Sequence, residues 1–382
     1  MTHIAFFGHD AADAAVRRRV AAFERDGLEV TGFMMARQSN VSTAWKNIKL
    51  GETRDGAFLN RIKNIFSGAR IAASHADTLA TADLVYARNL DMLACAFLAK
   101  RFCRLKTPVV YESLDVHRLL TRPDIVGKAL RWIEKSLLRR TKGLVVSSPG
   151  FLKNHFNKHY PGLFTPYLIE NRLTAGADYG ARPVAGAKSL PVDGKLRLGW
   201  IGILRCQRSF ELLCALADRF PDTLEVHLHG IPARNEIPIF EPELEKRANM
   251  HFGGKYRAPE DLADIYAPLD VVWAGDFMEA GYNSVWLLPN RIYEGGYYAT
   301  PSIAPSGTET AEWIIERKCG FTIPEPLHET LPALIHDLLD DRSEVNEFAA
   351  TLLSLREDTF IQPAGFVGDI ISSVLNGKKL DV

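Results

Sequence analysis

Leu196-Arg-Leu-Gly-Trp-Ile-Gly-Ile-Leu-Arg-Cys-Gln-Arg-Ser209 decides how the chain is organised. It reads as an apolar strand that runs into glycine and arginine, and it follows a break rich in Gly, Ala and Pro over 173–194. Such a break reads as a linker, and a strand immediately after it reads as the restart of a folded unit. Downstream, short apolar runs recur at 224–229, 250–252, 271–274 and 302–304, with helical patterns between them. Upstream the same alternation occupies the first half. Its strands are expected at 4–7, 30–33, 84–86, 109–111 and 144–147, and its first helix carries Val16, Val20 and Phe23 at i, i+4 and i+7 before Gly27. Short strands alternating with helices predict parallel sheets covered on both faces. The fold class is therefore α/β, with two doubly wound parallel-sheet domains of similar size facing a cleft. The first is expected over 1–185 and the second over 186–360. A last helix, from about Ala364 to Leu375, is expected within 361–382.

Composition excludes several classes. The chain has 382 residues, 47% hydrophobic and 24% charged, which is ordinary globular composition. Five scattered cysteines without a C-x-x-C pair read as reduced thiols, mostly buried, which predicts a cytoplasmic protein. The N-terminus lacks the basic-then-apolar order of a signal peptide, and no apolar run reaches the roughly 18–20 residues of a membrane span. Formal net charge is zero, yet residues 1–185 hold 28 Lys and Arg against 16 Asp and Glu, and residues 186–382 hold 18 against 30. The excess is densest from 100 to 142. There Lys128, Arg131, Lys135 and Arg139 fall on one helical stripe beside Trp132, with Leu130, Ile133 and Leu137 expected on the core-facing side. Such a helix suits an anionic membrane surface or an ordinary solvated face. No nucleic-acid partner is implied.

The chain lacks G-x-G-x-x-G, G-x-x-x-x-G-K-[ST], G-x-S-x-G and D-x-D, which disfavours nicotinamide, P-loop, hydrolase-elbow and metal-bridged pyrophosphate chemistry. What remains lies at strand ends. Glycine at 202 would let a ligand approach the backbone, and Arg205 and Arg208, expected in the following loop, can hold a diphosphate by charge-assisted hydrogen bonds or can simply be solvated. In Leu288-Pro-Asn-Arg-Ile-Tyr-Glu-Gly-Gly-Tyr-Tyr-Ala-Thr-Pro-Ser-Ile-Ala304, Pro289 suits a helix start. Arg291 and Glu294 then share one face, as an anion and hydroxyl site or as a surface salt bridge. In the first half Glu112, Asp115 and His117 gather after a strand, where a base for a hydroxyl proton could sit. Asp115 is equally placed to cap the next helix. His9 and Asp10 end the first strand, and most of Arg17, Arg18 and Arg19 is expected to face solvent.

These segments, in this order, resemble the GT-B glycosyltransferases, particularly the large family 4. The segments are Gly199-x-x-Gly202 with its arginines, His227-x-x-Gly230, Phe252-Gly-Gly-Lys255, Pro289-Asn-Arg and Pro301-Ser-Ile-Ala304. The first half adds Val109-Val-Tyr-Glu-Ser-Leu-Asp-Val-His117, Leu144-Val-Val-Ser-Ser-Pro-Gly-Phe151 and Ile169-Glu-Asn-Arg172. The resemblance covers nearly the whole chain and implies two Rossmann-like domains, with the nucleotide-diphosphate sugar (UDP- or GDP-sugar) on the second and the acceptor on the first, and a C-terminal helix within 361–382 that returns to the first domain. It implies Glu294 for the ribose, Arg205 and Arg208 for the diphosphate, Tyr256 beside the base, and Asn290 and Arg291 at the phosphate-facing helix start. The family's E-x7-E pair would need an acid at position 286, where this chain has Trp286, so Gly281, Tyr282 and Asn283 are expected to face the donor sugar instead. His9, Asp10 and Glu112 fall on the acceptor side, with Asp115 as the base and His117 as its alternative. No metal and no other cofactor is expected, and the acceptor is a glycan or lipid-linked hydroxyl in polysaccharide assembly. A GT-B sugar epimerase and a catalytically silent sugar-nucleotide-binding protein share these features.

Overall fold

In the computed structural model, residues 1–37, 42–52, 58–184, 194–279 and 281–378 are described. The chain divides into two compact units, Met1–Glu170 with Pro363–Val382, and Asn171–Gln362.

The first unit is built on seven parallel strands: β1 (His3–Gly8), β2 (Glu29–Ala36), β3 (Lys46–Glu52), β4 (Leu84–Arg88), β5 (Val109–Ser113), β6 (Gly143–Val146) and β7 (Pro166–Leu168). Their order is β3-β2-β1-β4-β5-β6-β7, so the winding reverses between β1 and β4. β1, β4 and β5 are buried along their whole length, as strands covered on both faces must be. The helix Ala14–Arg25 buries Val16, Val20 and Phe23 on Ile4, Phe6 and Tyr86. Its Asp13 N-cap accepts from the N–H groups of Ala15 and Val16.

The chain closes this unit with its last helix, Phe366–Asn376, which adds Val367, Ile370, Ile371 and Val374 to the same core. That helix begins after Gly365 in the left-handed region at φ 82°. Its exposed N–H groups are met by one carboxylate: Asp26 accepts from Gly365, Val367 and Gly368 at 2.9–3.0 Å. Residue 26 lies just past the end of the first helix, so a single side chain ties the beginning of the chain to its end.

The second unit has a six-stranded parallel sheet ordered β11-β10-β9-β12-β13-β14. Its strands are β9 (Leu196–Leu204), β10 (Leu224–Pro232), β11 (Met250–Gly254), β12 (Val271–Trp273), β13 (Ser302–Pro305) and β14 (Gly320–Ile323). A two-stranded pair, β8 (Leu173–Thr174) with β15 (Ile361–Gln362), completes it. Here the reversal falls between β9 and β12. The expected boundary at 185/186, and most of the proline-containing half of the break, lie in 185–193, outside the described residues. Residues 171–184 belong to the second unit for a physical reason. Leu173 and Tyr179 are buried in its core. The Arg182 guanidinium donates to the carbonyls of Leu352, Leu355 and Tyr297 and lies over the rings of Tyr297 and Phe360.

The helix Ile125–Leu138 is rotated relative to the expected stripe. Its buried residues are Gly127, Glu134 and Leu138, whereas Ile133 is exposed and Leu130 and Leu137 are only half-buried. The rotation follows from two contacts. A side chain at Gly127 would collide with the Arg122 carbonyl, and buried Glu134 is satisfied by Tyr111 Oη at 3.0 Å, Tyr160 Oη at 2.6 Å and His155 Nε2 at 2.7 Å. A carboxylate with three partners can be buried where a bare one could not.

Asp26 generates a stability prediction. Asp26→Ala removes acceptors from three helix N–H groups and should lower the unfolding free energy by about 2–3 kcal/mol, read in urea denaturation. Asp26→Asn should recover part of that loss, and an unchanged midpoint in Asp26→Ala would refute the clamp.

Candidate functional site

In open parallel sheets, ligands bind beyond the carboxyl ends of strands where the winding reverses. In the second unit that place is the end of β9 and β12. Gly202 has φ 120°, and a side chain there would project into open space. Gly230 on β10 comes so close to Gly202 that a Cβ would overlap the Gly202 carbonyl. Both positions therefore require glycine, and the backbone at the strand end is left approachable.

β9 continues to Leu204, further than expected, and the next helix begins at Gln207. Arg205 thus lies in a two-residue turn and Arg208 in the first turn of the helix Gln207–Arg219, not in a loop as expected. Cys206 caps that helix. Its Sγ accepts from Ser209 N at 3.4 Å and Phe277 N at 3.2 Å, while Ser209 Oγ donates to Gly275 O at 3.2 Å. The helix start is thereby tied to the segment after β12.

Asp276 organises that segment. Its carboxylate accepts from Arg205 Nη2 at 3.2 Å, from Met278 N at 2.9 Å and from Ser284 Oγ at 3.2 Å, and it is 8% exposed. Ser284 Oγ in turn accepts from Glu279 N at 2.9 Å. Arg208 lies over the Phe277 ring at 4.5 Å and donates to both carboxylate oxygens of Glu325 at 2.8 Å. That hydrogen bond holds the Glu325 carboxyl below the usual carboxylate range. The two arginines are therefore held differently. Arg205 is fixed by a buried carboxylate with other donors, whereas Arg208 and Glu325 are both largely exposed, and such pairs are weak and exchangeable.

Of the residues expected at the donor sugar, Gly281 has φ 84° and Tyr282 is exposed. Asn283 is buried and begins the short helix Asn283–Trp286. Tyr282 and Trp286 meet edge to face, with ring centroids 6.3 Å apart. Pro289 precedes the helix Asn290–Tyr297, whose Arg291 and Glu294 are both buried. This rules out a surface pair. Arg291 Nη1 donates to Trp273 O at 3.2 Å, fastening the helix to the end of β12. Glu294 accepts from Tyr266 Oη at 2.8 Å. Burial, and then the charge of Glu294, pushes the Tyr266 phenol well above its ordinary value, so it remains a neutral donor. Tyr256, half-buried after β11, packs against the same core. Asp276, Phe277, Glu325 and Tyr266 escaped sequence reasoning. Asp276 was within reach as the acid three residues past an apolar strand.

In the first unit Glu112 is not presented to a ligand. It is 1% exposed and accepts from Arg19 Nε and Nη2 at 3.0 and 2.9 Å and from Arg88 Nε at 2.6 Å. Burial alone would raise its pKa, but Arg19 and Arg88 outweigh burial and hold it below the usual range. Arg19 is accordingly buried, whereas Arg17 is exposed and Arg18 half-buried. Asp10 is also buried; its carboxylate accepts from Ala12 N at 3.0 Å and faces Arg37 at 3.7 Å, which makes it a turn residue. His9 stands 3.8 Å from Asp13. Asp115 and His117 are exposed beyond β5. The helix cap is His117, whose Nδ1 accepts from Leu119 N at 3.2 Å, rather than Asp115. Ser113 Oγ donates to the Asp115 carbonyl at 2.9 Å and fixes that turn.

No family model matches the chain. The fold is shared with solved structures across almost the full length. Anabaena Alr3699/HepE in complex with UDP aligns with a TM-score of 0.71 at 16% identity, covering 98% of this chain and 100% of that one. Sucrose-phosphate synthase from Thermosynechococcus elongatus aligns with a TM-score of 0.73 at 15% identity, covering 99% and 100%. WaaG, a glycosyltransferase of lipopolysaccharide biosynthesis, aligns with a TM-score of 0.63 at 16% identity, covering 99% and 100%. Two doubly wound parallel-sheet units are the GT-B fold that these solved structures share. The succinoglycan biosynthesis protein ExoL of Rhizobium meliloti (strain 1021) is 37% identical over 342 residues, covering 88% of this chain and 85% of its own length. The chain belongs to the ExoL family.

The exchangeable pair can be tested with inorganic pyrophosphate. Glu325→Gln keeps the side-chain oxygen that accepts from Leu327 N but withdraws the charge that competes for Arg208. Pyrophosphate affinity should rise by about two- to fivefold at low salt, the worth of an exposed pair, measured by calorimetry. Unchanged or weaker binding would show that Arg208 takes no part in anion binding.

Proposed function

We propose that the chain transfers a sugar from a UDP- or GDP-sugar held on the second unit to a hydroxyl of a glycan or lipid-linked acceptor in polysaccharide assembly. The observation that carries this reading is the end of β9. There an approachable backbone at Gly202, a helix start and two arginines with acidic partners converge. A diphosphate would take the place of Glu325 on Arg208, while Asp276 keeps Arg205 aimed. The positive end of the helix Gln207–Arg219 adds to this field. Neutralising the departing diphosphate in this way needs no metal. Glu294, oriented by Tyr266, would accept from ribose hydroxyls, and Tyr256 would flank the base. Asn290, at the start of the next helix, would face the phosphates, and the Gly281-Tyr282-Asn283 turn the sugar. Asp115, exposed on a fixed turn, would take the acceptor proton if the reaction inverts the anomeric centre. If it retains, Asp115 would orient the acceptor and the leaving phosphate would take the proton. HepE, similar in fold, has been solved with UDP, with UDP and glucose, and with UDP-glucose, which favours the uridine donor.

We further propose that the first unit works at the cytoplasmic face of an anionic membrane. No helix among the described residues is long and apolar enough to cross a membrane. The helix Ile125–Leu138 instead presents Ile125 at 83% exposure, Trp132 at 70% and Ile133 at 40%, with Lys128 and Arg139 exposed alongside and Lys135 half-buried. Arg131 takes a different part, since its guanidinium donates to the carbonyls of Leu120 and Arg122. Apolar side chains entering the headgroup boundary, flanked by cations each worth about 1 kcal/mol near the surface, suit an acceptor anchored in lipid.

Three measurements test these readings. Incubation with UDP-, GDP- and ADP-sugars should release free nucleotide, most readily from a UDP-sugar. Glu294→Ala should weaken UDP binding at least about tenfold, the loss of a charged hydrogen-bond acceptor. Sugar interconversion would indicate an epimerase, and binding without turnover a silent binding protein. Separately, Trp132→Ala with Lys128→Glu should reduce flotation with phosphatidylglycerol-containing vesicles, and binding by the unaltered protein should fall with added salt. Equal flotation of both proteins would refute the membrane reading.

A further inference from the structure

At the winding reversal of the first unit, three buried polar atoms have no hydrogen-bond partner among the described residues: His9 Nδ1, Arg88 Nη1 and Asn89 Oδ1. β1 and β4 pair as far as Phe7 with Ala87, so His9 and Asn89 stand two residues beyond the last pair on adjacent strands. Arg88 is 1% exposed. Its Nε is committed to Glu112, and its guanidinium lies over the Phe6 ring. Asp13 stands 3.8 Å from His9. Burial would raise the Asp13 pKa, but the nearness of His9, the hydrogen bond from Val16 N and the charge of Arg88 hold it below the usual range. Buried polar groups without partners are uncommon, and three at one reversal point require an explanation.

Asn89 carries a second anomaly. It occupies the N-cap of the helix Leu90–Cys103, yet its side chain makes no capping bond, and its backbone sits at φ 69°, ψ 160°. That conformation strains any residue with a Cβ. It is held from both sides, by Asn89 N donating to Glu112 O at 2.8 Å and by Leu93 N donating to Asn89 O at 3.0 Å. An asparagine that neither caps its helix nor relaxes its backbone, and whose amide oxygen is buried without a donor, is positioned for something else.

The chemistry of the missing partner follows from the three atoms. Arg88 Nη1 needs an acceptor and Asn89 Oδ1 needs a donor; a hydroxyl supplies both. Charge points the same way: Arg19 and Arg88 share the Glu112 carboxylate and His9 faces Asp13, so little surplus positive charge is left for an anion. We propose that the ends of β1 and β4 form a subsite for a neutral sugar, with Arg88 and Asn89 binding one of its hydroxyl groups and His9 beside them. This rests on the reading that the first unit takes the acceptor, and makes Asn89 a determinant of acceptor specificity.

Asn89→Gly separates binding from folding, because glycine adopts the left-handed conformation without strain. Saturation-transfer NMR would be recorded with methyl glycosides of glucose, galactose and mannose, with sodium glucuronate as the anionic control. At least one neutral glycoside should bind the unaltered protein more tightly than glucuronate does. Asn89→Gly should weaken that binding roughly fivefold or more, the cost of one lost hydrogen bond. Its melting temperature should stay level or rise, and UDP affinity should stay level. The proposal is overturned if no neutral glycoside binds, if glucuronate binds best, or if Asn89→Gly binds glycosides as before. It is equally overturned if the variant melts lower or loses UDP affinity, since Asn89 would then be structural. UDP affinity of the unaltered protein is a separate readout, so failure of the donor assignment can be told from failure of this one.

Discussion

The Glu112 carboxylate, bonded by Arg19 and Arg88 with essentially no exposure to water, is the contact around which the first unit is arranged. It joins the helix Ala14–Arg25 to β4 and β5, three elements far apart in sequence. Burying a lone carboxylate or guanidinium costs several kcal/mol, so none of the three could occupy its place without the others. Once they are paired, the carboxyl ends of β1, β4 and β5 are held at one level. His9, Asn89 and Asp115 follow directly from those ends. A rigid ionic floor below and loop residues above is the arrangement in which small groups can be aimed at a ligand.

The second unit solves the same problem with less charge buried and more of it exchangeable. Asp276 does for β9 and β12 what Glu112 does for β4 and β5, but it engages one guanidinium and two neutral donors. Arg208 is left to an exposed carboxylate on the far side. Under the proposed function, the fixed arginine would set direction, and the exchangeable one would let an incoming diphosphate replace a protein carboxylate at little cost. The acidic background of this half would then not oppose anion binding, because the acids would yield the arginines to a stronger bidentate partner.

The architecture was legible in the sequence because strands buried on both faces are largely apolar runs, and β1, β4, β5 and β12 are of that kind. The strands that escaped notice lie at or near sheet edges. β3 is Lys46-Asn-Ile-Lys-Leu-Gly-Glu52, in which only Leu50 is buried, and β7 and β14 are three and four residues long. Single-residue roles were less legible, since a role depends on partners hundreds of positions away. Asp26 meets residues 365–368, Arg182 meets the carbonyls of residues 352 and 355, and neither spacing leaves a local pattern. The rotated helix Ile125–Leu138 shows the limit of periodicity most clearly. Hydrophobic spacing assigned Ile133 to the core, whereas a glycine contact and a triply bonded Glu134 decided which face is buried.

Glu112 and Glu294, of identical chemistry, thus sit among different kinds of donor, which suits them to different work. Glu112 is met by two guanidiniums that cancel its charge and lower its pKa, which leaves it a poor proton acceptor and a good strut. Glu294 is met by the Tyr266 hydroxyl, which donates a hydrogen bond without bringing a positive charge, and burial beside that carboxylate keeps the phenol protonated. A hydroxyl donor orients the carboxylate without a formal charge of its own, which is what the ribose-binding role proposed for Glu294 calls for. The substitution that distinguishes a strut from a binding group therefore lies in the neighbour: an arginine in place of Tyr266 would turn Glu294 into a second Glu112.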